Sequence, residues 1–185
     1  MCCSASDEEL LAASDRCPEA FGVLAGRYRE PLSRFAFHYV RDRDTARDVV
    51  QDALLHAFKH RDAVERGRPF RPWLFAIARN ASFSALRNRR RAAASVELCE
   101  TFPSSAPGPE ALALLDADAR SVHYALATLP ERYRTALQLY YLSHMRYREI
   151  AAALGIPIGT VKTHISRAKR LLRAELEDAG LDRTA

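Results

Sequence analysis

The apolar residues of this chain recur three and four places apart and nowhere alternate, a pattern that confines it to helices. Phe21, Leu24, Tyr28, Leu32, Phe35 and Tyr39 make one helical face, in which Pro31 is expected to introduce a kink. Val50, Leu54, Ala57 and Phe58 make the inward face of a helix expected from Asp42 or Asp44 to about His60. In the next helix Leu74, Ile77, Ala81 and Ala85 are expected to face the core. Periodicity then stops at AAASVELCETFPSSAPGP, whose prolines, glycine and serines break helices. It returns with Leu112, Leu115, Ala119, Val122, Leu126 and Leu129. The expectation is an all-α chain of two small helical domains, 5–91 and 110–177, joined by a flexible linker at 92–109.

End signals sharpen the boundaries. Ser6 before Asp7, Glu8 and Glu9 is a favourable helix start, because acids complement the N-terminal dipole. Thr128 and Glu131 are spaced as a capping box, with Pro130 in the first turn. A short helix is expected from Tyr147 to Leu154, a left-handed turn at Gly155, and a last helix from about Ile158 to Leu176.

Charge is distributed in blocks. The net charge is +5 with a pI near 9.2, which favours a polyanionic partner. Between Gly67 and Arg91 there are seven arginines, no acid, and interleaved aromatics: RPFRPWLFAIARNASFSALRNRRR. A second acid-free basic stretch runs from Ala151 to Ala174. The middle holds Glu97, Glu100, Glu110, Asp116 and Asp118 against the single base Arg120.

The two basic stretches differ in chemistry. IAAALGIPIGTVKTHISRAKRLL reads as a helix-turn-helix, with Ile150, Leu154, Val161, Ile165 and Leu172 where crossing helices pack. Lys162, Thr163, Ser166, Arg167 and Arg170 then share the outward face, which suits a major groove. In the upstream stretch Phe70, Trp73, Phe75 and Phe83 are too many for one core stripe, so some are expected to be exposed or half-exposed, where rings can stack on unpaired bases. Asn80 adds an amide able to read a base edge.

Other classes find less support. No apolar run approaches the ~20 residues that span a bilayer, so no membrane insertion is expected. The acidic N-terminus lacks a basic region followed by an apolar one, and the expected compartment is the cytoplasm. Cys2, Cys3, Cys17 and Cys99 form no CxxC and read as free thiols. His56 and His60 lie at i and i+4, but no third ligand is apparent, so neither a metal site nor a cofactor is expected. A free-standing helix-turn-helix regulator needs neither the aromatic-basic segment nor the acidic face around Asp48 and Asp52.

Taken together, these motifs resemble the extracytoplasmic-function sigma factors of bacterial RNA polymerase over about residues 6–177. ARDVVQDALLHAFK resembles the family's segment with a DLVQE core, and FRPWLFAIARN its promoter-melting segment. LPERYRTALQLYYLSHMRYREIAAALGIPIGTVKTHISRAKRLL resembles its terminal helix-turn-helix domain. The resemblance implies a non-enzymatic initiation factor whose partners are core polymerase, through clamp and flap, promoter DNA and an anti-sigma factor. Asp48, Val49, Val50, Gln51, Asp52 and Leu55 would dock on the clamp of the largest subunit. The loop from Arg61 to Arg68, with Trp73, Arg79, Asn80, Ser84 and Arg87, would open the −10 element and hold a flipped base. Lys162, Thr163, Ser166, Arg167 and Arg170 would read the −35 element. The acidic linker would run near the RNA exit path. Ser84 stands where many members carry an acid, Thr163-His164 replaces a common Ser-Arg pair, Pro157 takes a common Ser or Thr position, and Arg47 adds charge beside the docking face.

Overall fold

Ser6 opens the first helix with a reciprocal cap. In the computed structural model, which describes residues 5–64, 69–96 and 117–178, the Glu9 amide donates to Ser6 Oγ at 3.2 Å. The Ser6 amide donates to the Glu9 carboxylate at 2.7 Å. Hydrogen bonds from the Ser6 amide and then its side chain hold the Glu9 carboxyl below its ordinary range. Helix α1 (Asp7–Ala13) buries only Leu10, and Asp7 ties it to the next helix through Arg27 at 2.9 Å and the Tyr28 hydroxyl.

Helix α2 (Pro18–Val40) buries the whole expected face, Phe21, Leu24, Tyr28, Leu32, Phe35 and Tyr39, and runs unbroken through Pro31. It ends at Arg41 in the left-handed region, φ 57°. Its exposed carbonyls need donors, and Arg89 Nη1 from the far end of α4 donates to the Val40 carbonyl at 3.1 Å. Asp42 then caps α3 (Arg43–Lys59), accepting from the Thr45 amide at 2.7 Å. A 3-10 turn (Arg61–Ala63) follows, then α4 (Phe70–Val96).

Helices α2, α3 and α4 pack on one another around an aromatic core, with α1 against α2 and α4. Phe35 meets Phe75 edge-on at 5.3 Å, Tyr28 meets Phe70 at 5.7 Å and Tyr39 meets Phe83 at 5.2 Å. This corrects the stripe expected for α4. The buried stripe of α4 is Phe70, Leu74, Phe75, Ala78 and Ser82, while Ile77, Ala81 and Ala85 are only half-buried. The rings of Phe70 and Phe75 belong to the core, because rings on α2 offer them edge-to-face partners, while Trp73 and Phe83 stay half-exposed, as some of the four were expected to. Helix α4 also continues to Val96, past Arg91 and into the segment read as linker. The rest of that segment lies outside the described residues.

A second compact unit holds α5 (Ala117–Thr128), α6 (Glu131–Tyr141), residues 147–151 of α7 (Tyr147–Leu154) and α8 (Ile158–Asp178). Leu129, Tyr133, Leu137 and Ala168 form its buried cluster, with Leu126 and Leu172 partly buried against it. The expected Thr128–Glu131 capping box does not form. Pro130 is the N-cap of α6, and Thr128 ends α5 with its hydroxyl donating to the Ala125 carbonyl at 2.9 Å. Half of such a box stands instead at Arg146, whose amide donates to the Glu149 carboxylate at 2.7 Å. Gly155 takes the expected left-handed conformation, φ 66°. Ile150, Val161 and Ile165 are buried, and Leu154 and Leu172 are half-buried. No strand occurs among the described residues.

Candidate nucleic-acid and polymerase interfaces

The outward face of α8 gathers all five residues expected there. Lys162, Thr163, Ser166, Arg167 and Arg170 are exposed and line one open concavity of about 490 Å³. Val161, Ile165 and Ala168 point the opposite way, into the core, so the helix's register is fixed by burial. Thr163 Oγ1 donates to the Gly159 carbonyl at 3.0 Å, which leaves the hydroxyl's lone pairs free to accept. Arg167 Nη1 donates to the Tyr133 hydroxyl at 3.3 Å. Next to it, His164 packs edge-on against Tyr133 at 5.3 Å. Burial, followed by the charges of Arg132 and Arg167, pushes the pKa of the His164 imidazole down.

On α4, Trp73, Asn80, Ser84 and Arg87 recur at helical spacing along one stripe. Trp73 is half-exposed, its ring tilted on Phe70 at 5.9 Å; Asn80 and Arg87 are exposed and Ser84 is half-buried. Arg79 lies about 100° around the helix from Asn80. Its guanidinium still reaches back, Nη2 donating to Asn80 Oδ1 at 3.3 Å. That contact occupies one acceptor site of the amide oxygen, and Asn80 itself is exposed.

Helix α3 divides the residues expected to dock. Asp48, Gln51, Asp52 and Leu55 are exposed, and Leu55 keeps 48% of its surface open to solvent. Val49 and Val50 are instead buried in the core, so the face is narrower than the sequence segment. Beside it, Val50, Leu54, Phe21 and Phe58 floor a groove of about 880 Å³ between α2 and α3, with Arg29, Arg34 and Arg47 at its margin.

Two family descriptions match this chain. Sigma-70 region 2 matches residues 24–92 and sigma-70 region 4 matches residues 119–172. The ECF RNA polymerase sigma factor SigL of Mycobacterium tuberculosis is 35% identical over 164 residues, which cover 87% of this chain and 91% of SigL. The chain belongs to the ECF RNA polymerase sigma factors. The ECF RNA polymerase sigma-E factor of Escherichia coli is 31% identical, over 83% of this chain and 85% of that one. Among solved structures, CnrH in complex with the cytosolic domain of CnrY superposes with a TM-score of 0.74 at 29% identity. That match covers 93% of this chain and 97% of CnrH. RpoE of Bartonella quintana, in complex with the anti-sigma factor NepR, gives 0.66 at 31% identity over 92% and 99%.

This sigma factor therefore acts in transcription initiation and is not an enzyme; polymerase supplies the chemistry. No helix among its described residues is long and apolar enough to cross a membrane. The described residues also hold no group of three potential metal ligands, and His56 and His60 simply stack on the surface at 4.4 Å. Cys17 is exposed, and its thiol donates to the Glu19 carboxylate at 3.0 Å, which raises its pKa and disfavours the reactive thiolate.

Sequence reasoning missed three of the sigma factor's placements. Arg61, read as part of a DNA-facing loop, is turned inward: Nε pairs with Asp15 at 2.8 Å and Nη1 donates to the Phe58 carbonyl at 2.8 Å. Residues 65–68 of that loop lie outside the described residues. Lys169, seven places after Lys162 and so on the same strip of α8, lies over the rings of Tyr140 and Tyr141 at 5.7 and 5.4 Å. A hydrogen bond with Tyr141 raises its ammonium pKa. Tyr133, not singled out in the sequence, carries the hydroxyl that meets Arg167. The heptad interval could have flagged Lys169; nothing local marks the other two.

Proposed function

We propose that this sigma factor divides promoter recognition between two surfaces of different chemistry. The α8 face reads the −35 element as duplex. Lys162, Arg167 and Arg170 supply cations for phosphates and guanine edges, while Thr163 and Ser166 are short enough for close base contact. The α4 stripe serves the −10 element after its strands part. Extruding a base costs a few kcal/mol of unstacking, and Trp73 offers a stacking plane while Asn80, Arg87 and Ser84 offer polar contacts at one place. Arg79 supports this by orienting the Asn80 amide.

Core polymerase docks through the exposed strip Asp48, Gln51, Asp52 and Leu55 on the clamp of the largest subunit, with the flap taking the helix-turn-helix unit. The buried Val49 and Val50 support that strip from beneath. An anti-sigma factor is the expected negative regulator, in keeping with the NepR complex of the Bartonella relative. The expected compartment is the cytoplasm, where polymerase works.

The observation that carries the reading is the α8 face: five exposed polar or cationic side chains, no acid, in a register fixed by a buried opposite stripe. Run-off transcription with core polymerase on a fragmented genomic library tests it. New start sites sharing two upstream motifs are expected. Absence of new transcripts, together with tight duplex binding by the free protein, would point to a stand-alone regulator.

A further inference from the structure

Tyr133 is placed to aim Arg167 as well as to fill the core. Its side chain is 6% exposed and packs with Leu129, Leu137 and Ala168, so the ring is fixed by its neighbours. Its hydroxyl lies beside two arginines. There it accepts from Arg167 Nη1 at 3.3 Å and from Arg132 Nη2 at 3.4 Å. The Arg132 guanidinium also lies over the ring, 4.7 Å from its centre, and His164 closes another side at 5.3 Å. The two cations, Arg167 first, lower the pKa of the phenol, as expected for an acceptor held between positive charges. Among the described residues no carboxylate pairs with either arginine.

We propose that Tyr133 is a specificity-determining positioning residue: its hydroxyl holds the Arg167 guanidinium so that Nε and Nη2 face DNA as a fixed fork. The inference rests on the assignment of α8 to the −35 element. A carboxylate in this place would brace the arginine but cancel its charge. A phenol braces it and leaves the charge intact. A free arginine must surrender rotamer freedom when it binds, whereas a braced one has already lost it. Because a fork recognises bidentate acceptors by direction, the brace acts on discrimination between bases more than on general attraction to phosphate.

The test uses holoenzyme and measures its affinity for a promoter and for the same promoter with substituted −35 bases, across a salt series. Tyr133→Phe is expected to lower the ratio of the two affinities about three- to tenfold, the range of one hydrogen bond. The salt slope is expected to stay unchanged, since no cation is lost. In an Arg167→Ala background, Tyr133→Phe is expected to add nothing. An unchanged ratio in Tyr133→Phe, or a loss that persists without Arg167, would overturn the brace and leave Tyr133 a packing residue. If Arg167→Ala alone leaves the ratio intact, the −35 assignment of Arg167 fails and takes the brace with it.

Discussion

Arginine serves several different ends in this molecule, and composition alone does not separate them. Arg61 staples the turn after α3 to Asp15, and its guanidinium lies 4.8 Å from the centre of the Phe58 ring. Arg89 caps the C-terminus of α2 through the Val40 carbonyl. Arg79 holds an amide, and Arg167 stands outward. Only the last kind of placement adds directly to a DNA footprint. On α4 the residues proposed to act once strands separate are Trp73 and Asn80. Asn80→Ala and Trp73→Ala are therefore expected to lower open-complex formation, read by permanganate reactivity, about tenfold, the scale of one or two kcal/mol of stacking lost at Trp73 or of a base-edge hydrogen bond lost at Asn80. Capture of closed duplex by the holoenzyme should change little; equal losses in both assays would remove α4 from the melting step. The outward side chains of α8 were legible because one helix's periodicity fixes them. The inward turn of Arg61 was not, because its carboxylate partner lies 46 residues away in sequence.

Helix ends show the same division between local and distant causes. Ser6, Asp42 and Gly155 act within a turn of themselves, and each stands as local chemistry requires. Thr128 failed as a cap because Pro130 took the N-cap position, and the rotation of the α4 stripe followed from rings on α2. Gly155 leads to a clean prediction. A Cβ at this position would meet nothing within 4 Å, so Gly155→Ala pays only for its positive φ. The expected cost is about 1 kcal/mol, seen as roughly fivefold lower hydrogen-exchange protection in α7 and the start of α8. Unchanged protection would mean that the turn tolerates an L-residue. Asp42 gives a pH prediction. Bonds from Thr45 hold its carboxyl below the ordinary 3.8. A depressed pKa stabilises the fold above the unfolded value, and that contribution fades as pH falls through the folded one. Acid titration of Trp73 fluorescence should therefore show a shallower loss of stability below about pH 4 in Asp42→Asn, since asparagine caps without titrating. Identical acid limbs would show that Asp42 does not contribute.

At the scale of the molecule, the proposal gives opposite charges to different partners. Exposed acids of α3, Asp48 and Asp52, flank the apolar Leu55, while the outward face of α8 carries cations and no acid. Polyanionic DNA rewards the second arrangement through counterion release, which makes affinity depend steeply on salt. A protein partner gains more from burying an apolar anchor such as Leu55, with charges at the rim setting orientation. The two partners should therefore be separable by mutation. Lys162→Ala combined with Arg170→Ala is expected to leave core-polymerase affinity unchanged while reducing the holoenzyme's log–log salt slope on promoter DNA by about two, one for each phosphate contact. Leu55→Ala should do the reverse: core affinity falls about tenfold, in the range of a truncated interface anchor, and the salt slope of the holoenzyme that still assembles stays the same. Fluorescence titration of labelled protein with core polymerase reads the first quantity, and promoter binding across a salt series reads the second. If Leu55→Ala shifted the slope, or the α8 pair weakened core binding, the charges of this chain would be serving one shared surface, and the division between a docking helix and a reading helix would have to be abandoned.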